Sequence, residues 1–267
     1  MNQSEKRIYL LRELLNEGGY ANDIPANAES QRQLLRGLMN VRRARRAGAE
    51  FLRVQDDYLQ KETAAKGVTD ADDLVPAEPG LYLWQGDITT LRCDAIVNAA
   101  NSGMTGCYIP NHACIDNVIH TYAGVELRLA CAELMEKQGH PEPTGQAKIT
   151  PAFNLPCRYV LHTVGPIVEG AVTQRDEELL ASCYRSCLTL AAENGLESVA
   201  FCCISTGVFH FPNEPAAEIA VKTVREFLQK QTSVKKVIFN VFKDLDKDIY
   251  ARLLGADRAS ENGNSGS

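Results

Sequence analysis

The 267-residue chain is 45% hydrophobic and 23% charged, which excludes wholesale disorder and allows one large domain or a domain with an appendage. Its formal net charge of -6 excludes a generally basic nucleic-acid-binding surface, although local backbone N–H groups can still hold a phosphate-bearing ligand. No apolar run approaches the roughly 20 residues of a membrane helix, and "MNQSEKRIYLLRELLNEGG" lacks the basic, apolar and small-residue regions of a signal peptide.

The nine cysteines, an odd number, fit a reducing compartment better than a disulfide framework. A cytoplasmic location is therefore expected, with neither nucleic acid nor membrane as partner.

Residues 1–75 carry no strand-like run, and "RIYLLRELL" and "QRQLLRGLMNVRRARRAGAEFLRVQDDYLQ" predict a helical N-terminal region. Within it, five arginines fall between Arg36 and Arg46, a cluster expected to form a solvated face that pairs with the acidic remainder. Residues 68–80, "VTDADDLVPAEPG", are acidic and contain two prolines, which predicts a linker.

From there to residue 258 short β-rich runs alternate with helical stretches. In chain order they are "LYLWQGDIT", "DAIVNAAN", a helix from Asp116 to Lys137, "QAKITPAF", "RYVLHTVGP" and a helix over "RDEELLASCYRSCLTLAAENG". "SVAFCCIS", a helix in "PAAEIAVKTVREFLQK", "KKVIFNVF" and a last helix in "DLDKDIYARLL" complete the series. This alternation predicts an α/β domain with helices on both faces of a mixed, largely parallel sheet. Residues 259–267, "ASENGNSGS", have the composition of a disordered tail.

Open α/β sheets bind ligands outside the carboxyl ends of their strands. Three stretches are predicted to fall there. In "CCISTGVFHFP", Ser205, Thr206 and Gly207 place small side chains and backbone N–H groups where a helix begins, which suits a diphosphate or serves as a plain strand–helix turn. "WQGDIT" ends a strand with Asp87, either an acceptor for an adenine amino group or a helix N-cap. "NAAN" sets Asn98 and Asn101 at the end of the next strand, where asparagine ordinarily makes turns.

The loop between "NAAN" and the following helix contains Cys107-x4-His112-x-Cys114. Two thiolates and an imidazole suit a zinc ion at about 2.0–2.3 Å, and a Cys2His set leaves a fourth position open, as catalytic zinc sites do. A redox pair and ordinary buried side chains are the alternatives. His120 is expected on a helix face and His162 as a hydrogen-bonded strand histidine. Cys183 and Cys187 share a helical face toward the core, Cys202 and Cys203 alternate on a strand, and His210 has no assigned role.

Taken together, "QGDIT", "DAIVNAAN", "TGQAKIT…YVLHTVGP" and "ISTGVF…FP" resemble the macro domain family in order and spacing, from about residue 80 to 255. With the helical N-terminal region and the Cys/His loop, the chain looks like the zinc-dependent protein-ADP-ribose hydrolase branch linked to sirtuin-like ADP-ribosyltransferases. One departure stands out: "CYIPNHAC" replaces the glycine-rich stretch that follows NAAN in common hydrolytic macro domains.

The resemblance implies a three-layer α/β/α macro domain over 76–258, preceded by the small helical region. It implies one zinc ion on Cys107, His112 and Cys114, with Asp116 and Asn101 as catalytic residues. Asp87 would take the adenine amino group with Ile88 contributing backbone, Ser205, Thr206, Gly207, Val208 and Phe209 would wrap the diphosphate, and Asn101 and Phe209 would face the distal ribose. Phe242 would neighbour the adenine, with a core phenylalanine as its competitor.

The implied activity is hydrolytic removal of mono-ADP-ribose, O-linked, from a protein side chain. The implied partners are ADP-ribose and an ADP-ribosylated protein such as a lipoyl-carrier protein. A non-catalytic ADP-ribose reader and an O-acyl-ADP-ribose esterase are the alternatives.

Overall fold

The computed structural model describes residues 1–255, so the tail expected at 259–267 lies outside the described residues. Three helices come first: α1 (Gln3–Gly18), α2 (Ala28–Val41) and α3 (Ala49–Lys66). Asn2 starts α1 through a reciprocal capping box with Glu5, and the Asn27 side chain caps α2 by accepting from the Ser30 amide. Their apolar faces meet in a cluster of their own, including Leu10, Leu11, Leu35, Phe51, Val54 and Tyr58, which Val125 of a later helix joins.

The expected linker is partly ordered structure. Its Thr69–Asp70 (β1) pairs in parallel with Leu91–Arg92 (β3), and a short 3-10 turn follows over Ala71–Asp73. The main sheet has six strands: β2 (Leu81–Gln85), β4 (Ala95–Ala100), β5 (Ala147–Pro151), β6 (Tyr159–Val164), β7 (Ser198–Phe201) and β8 (Lys236–Val241). Their order is β2-β8-β7-β4-β6-β5, parallel throughout except for the edge strand β5. The sheet is thus mixed and largely parallel, as expected. Runs such as "AIVNAA" and "YVLHTV" are buried almost end to end because helices cover both faces.

Helices α6 (Gln174–Glu193), α7 (Asn213–Leu228) and α8 (Asp244–Leu253) pack on one another, and α4 (Ile115–Ala123) and α5 (Val125–Gln138) pack on one another, giving the three-layer α/β/α architecture. The single helix expected over 116–137 is two helices. Gly124 breaks it at φ 96°, a left-handed conformation that L side chains rarely adopt, with Gln55 and Asn154 packed where a Cβ would stand. The strand expected through Cys202 and Cys203 ends at Phe201, because the backbone turns off toward Ser205 at φ 65°.

α2 and α3 pack against α4. Gln55 of α3 accepts a hydrogen bond from the Val125 amide at 2.9 Å, and Asn154 donates to Asp56 at 2.8 Å. The parallel run β2-β8-β7-β4 sets its carboxyl ends along one edge of the sheet, and the site is built there. Among the described residues no helix is long and apolar enough to cross a membrane.

Candidate active site

A cavity of about 550 Å³ opens along this edge. At one end, beyond β2, Asp87 caps a short 3-10 turn (Ile88–Thr90), and its Oδ1 accepts from the Thr89 amide at 3.0 Å and the Thr89 hydroxyl at 2.6 Å. The N-cap reading of Asp87 therefore holds, yet Oδ2 remains turned to the cavity, where Lys66 donates to it at 2.8 Å. Burial raises the Asp87 pKa, but Lys66 and Thr89 outweigh it and hold the carboxyl below its usual range. Lys66 is the last residue of α3, and its ammonium lies 3.3 Å from the centroid of the Tyr122 ring.

Phe242, just past β8, is 77% exposed and lines the cavity, so it is not a core residue. Lys66 and Tyr122 also line it, and sequence reasoning missed both. Each sits in an ordinary helical pattern whose orientation only packing reveals.

At the centre of the cavity lies the loop after β7. Ser205 to Phe209 all line it, and none of their five amide N–H groups donates to another group among the described residues. The Ser205 hydroxyl is buried without a partner. Consecutive free N–H donors facing a cavity form a cradle for an anion. His210 is exposed and does not line the cavity.

The third part is the Cys/His loop. The Sγ of Cys107 lies 3.5 Å from Nδ1 of His112, and the ligand atoms of Cys107, His112 and Cys114 all lie within 4.8 Å of one another. Two ligands of a tetrahedral ion at 2.0–2.3 Å stand about 3.6 Å apart, so this donor set fits a zinc ion. Among the described residues no fourth Cys, His or carboxylate joins the triplet. All nine cysteines are free thiols, so Cys107 and Cys114 are not a disulfide.

Cys114 is also the N-cap of α4, its sulfur accepting from the Asn117 amide at 3.4 Å. Burial pushes its thiol up to about 11 against that hydrogen bond, and a bound cation would reverse this by displacing the proton. His112 and Cys114 line the cavity.

Asp116, Asn101 and Cys107 do not line the cavity themselves. Asp116, in the first turn of α4, is 4% exposed, and its oxygens accept from Asn98 at 2.8 Å and Asn101 at 3.3 Å. Burial raises its carboxyl to about 6, opposed by these amides and by Arg128. Asn101 is exposed, and its Oδ1 accepts from the Gly103 amide at 2.9 Å.

Asn98 is not at the strand end. It lies inside β4, fully buried, and its amide bridges Asp116 and Nδ1 of His162 at 3.2 Å. His162 Nε2 meets the Thr150 hydroxyl at 2.9 Å, so this histidine is satisfied as expected. His120, expected on a helix face, is buried with neither ring nitrogen hydrogen-bonded. His120, Cys131 and His162 also converge, but both nitrogens of His162 are already engaged.

The macro domain sequence profile matches residues 97–220. A protein-ADP-ribose hydrolase from Treponema medium is 57% identical over 260 residues, 95% of this chain and 100% of the relative. One from Staphylococcus aureus (strain MSSA476) is 49% identical over 254 residues, 93% of this chain and 95% of the relative. The crystal structure of the Trypanosoma brucei macrodomain in complex with ADP-ribose is 30% identical, with a TM-score of 0.64 covering 82% of this chain and 95% of that one. With relatives matched over nearly their whole length and the strand-edge cleft in place, the chain belongs to the macro domain family.

Proposed function

We propose that this protein is a zinc-dependent hydrolase that removes ADP-ribose from modified protein side chains. One observation carries the reading: a single cavity joins the Asp87 pocket, the row of free N–H groups at 205–209 and the edge of the Cys107–His112–Cys114 triplet. The relatives named protein-ADP-ribose hydrolases, at 57% and 49% identity, support the activity.

In this reading the adenine amino group donates to Asp87 Oδ2, the free amide of Ile88 faces the base, and Phe242 packs beside it. The N–H row from Ser205 to Phe209 and the orphaned Ser205 hydroxyl hold the diphosphate. That places the distal ribose beside the Cys/His loop. Phe209 and Asn101 fix the sugar so that its anomeric carbon is held in one orientation, a positioning contribution. Cleavage builds positive charge on that sugar, and the Asp116 carboxylate, oriented by Asn98 and Asn101, supplies the compensating negative charge.

Cys107, His112 and Cys114 would hold the zinc, which when bound supplies Lewis acidity at this end of the cleft. The linkage is O-linked mono-ADP-ribose, and the protein partner, a lipoyl carrier modified by a sirtuin-like transferase, follows from the family resemblance alone. Nine free thiols support a cytoplasmic setting.

The test is release of ADP-ribose from a mono-ADP-ribosylated protein by enzyme as isolated, metal-stripped and zinc-restored. Loss on stripping with recovery on zinc is expected, and Cys107→Ala is expected to remove nearly all turnover while weakening ADP-ribose binding much less. Turnover unchanged by stripping would make the three ligands bystanders and return the chemistry to Asp116 and Asn101. Binding without turnover on any linkage would instead identify a reader, and turnover only on O-acyl-ADP-ribose an esterase.

A further inference from the structure

The Cys/His loop has few bonds of its own around the three residues, chiefly the His112 amide donating to the Ile109 carbonyl at 3.2 Å. It contains no regular element between β4 and α4, and Tyr108 and Ile109 within it are exposed. Three ligands on such a loop would spread over many conformations unless something outside it fixes them.

α2 supplies that support. Arg36 donates from Nη2 to the carbonyl of His112 at 2.8 Å. The same guanidinium straddles Oδ1 of Asn117, with Nη2 at 3.0 Å and Nε at 3.3 Å. Asn117 is fully buried, its side chain donates to the Ile109 carbonyl at 3.0 Å, and its backbone N–H donates to the Cys114 sulfur. One arginine therefore reaches His112 directly and Cys114 through Asn117. It does so without touching the imidazole, whose Nδ1 stays facing Cys107.

One turn further along α2, the buried Asn40 accepts from the amide of Asn111, which sits in the left-handed region at φ 57°. Between them Gly37 faces the loop so closely that a Cβ there would stand 3.4 Å from the Asn111 side chain and 3.7 Å from Pro110. Arg128 of α5 donates to the carbonyls of Asn40 and Arg42 and lays its guanidinium 4.1 Å over the Tyr108 ring.

We propose that the N-terminal helical region is a brace for the Cys107–His112–Cys114 loop, with Arg36 the positioning residue for His112. The proposal rests on the zinc reading of that loop for its metal consequence, but the bracing itself does not need the ion. A residue that orients a metal ligand typically governs affinity by about 10–100-fold. Arginine suits the task because its planar fork can serve the His112 carbonyl and Asn117 at once, whereas an ammonium serves them as a single point.

The experiment uses the full chain and three proteins: wild type, Arg36→Ala and Arg36→Lys. Arg36 also lines the cavity, so ADP-ribose binding is no control for it. Zinc affinity is measured by competition with a chelator, and amide hydrogen exchange over residues 107–114, with the distant edge strand β5 as the control, is measured without metal. Expected are zinc binding about 10–100-fold weaker in Arg36→Ala with partial recovery in Arg36→Lys, and faster exchange in the loop with β5 unchanged.

Zinc affinity and loop exchange both equal to wild type would overturn the brace. A wild type that binds no zinc would end the metal reading, and the exchange data alone would then decide the brace. Should Arg36→Ala fail to fold, Arg36→Lys decides: zinc affinity and exchange identical to wild type overturn the proposal.

Discussion

Asp116 shows how much one buried carboxylate depends on its donors. Both of its oxygens accept from amide groups, Asn98 on one side and Asn101 on the other. Asp116→Asn would turn an NH2 toward one of those amides and leave buried donors facing each other, at about 1–3 kcal/mol. Turnover should fall by at least about 100-fold while ADP-ribose still binds, read by single-turnover release and by titration; loss of binding in parallel would deny Asp116 a role in the chemical step.

His162 gives a pH signature. Burial holds its pKa down at about 3, against an ordinary 6.5, so the unfolded chain takes up the proton first. The stability this histidine contributes is present above pH 6.5 and is lost as pH falls toward 3. His120, also depressed by burial, acts in the same direction, and Asp116, raised by burial, acts in the opposite one. Denaturant unfolding at pH 6 and pH 5 should therefore show wild type losing about 1 kcal/mol more than His162→Gln over that interval; equal slopes would mean His162 takes up its proton while folded.

Among the elements, the α4–α5 junction is tightly constrained. Gly124 at φ 96° leaves its Cα against Gln55 of α3, whose Nε2 would stand 2.7 Å from an added Cβ. Gly124→Ala combines backbone strain with displacement of the Gln55 side chain that caps the Val125 amide. A loss of about 2–4 kcal/mol is expected by denaturant unfolding, and a loss under about 0.5 kcal/mol would show that α3 yields freely. The arginine cluster read as one solvated face divides here. Arg42 is buried against Glu17 and Arg36 grips the loop, while Arg43, Arg45 and Arg46 are exposed.

Across the whole molecule, the helical region and the sheet domain share contacts from which a single cooperative unfolding unit is expected. Val125 completes the N-terminal cluster, Gln55 and Asp56 bond residues of the sheet domain, and Lys66 reaches Asp87. Leu11→Ala, at a fully buried position among α1, α2 and α3, should cost about 2–5 kcal/mol. Helix content and near-ultraviolet signal should then move in one transition shifted to lower temperature. Two separated transitions would mean that the helices unfold independently of the cleft.

What the sequence by itself determined was the kind of each part. Short β-rich runs alternating with helical stretches, the four motifs in register and the Cys-x4-His-x-Cys spacing specify an α/β sheet with a ligand edge and a compact Cys/His cluster, because those signals are local. The tertiary structure alone decided which side chains meet. Asn98 turned out to be an interior link between Asp116 and His162, Phe242 proved to be a cavity wall, and Lys66 and Arg36 arrived at the cleft from helices 21 and 76 residues away from their partners. Such long-range pairings arise from how two apolar faces dock, and a single chain of letters carries the faces but not the angle at which they come together.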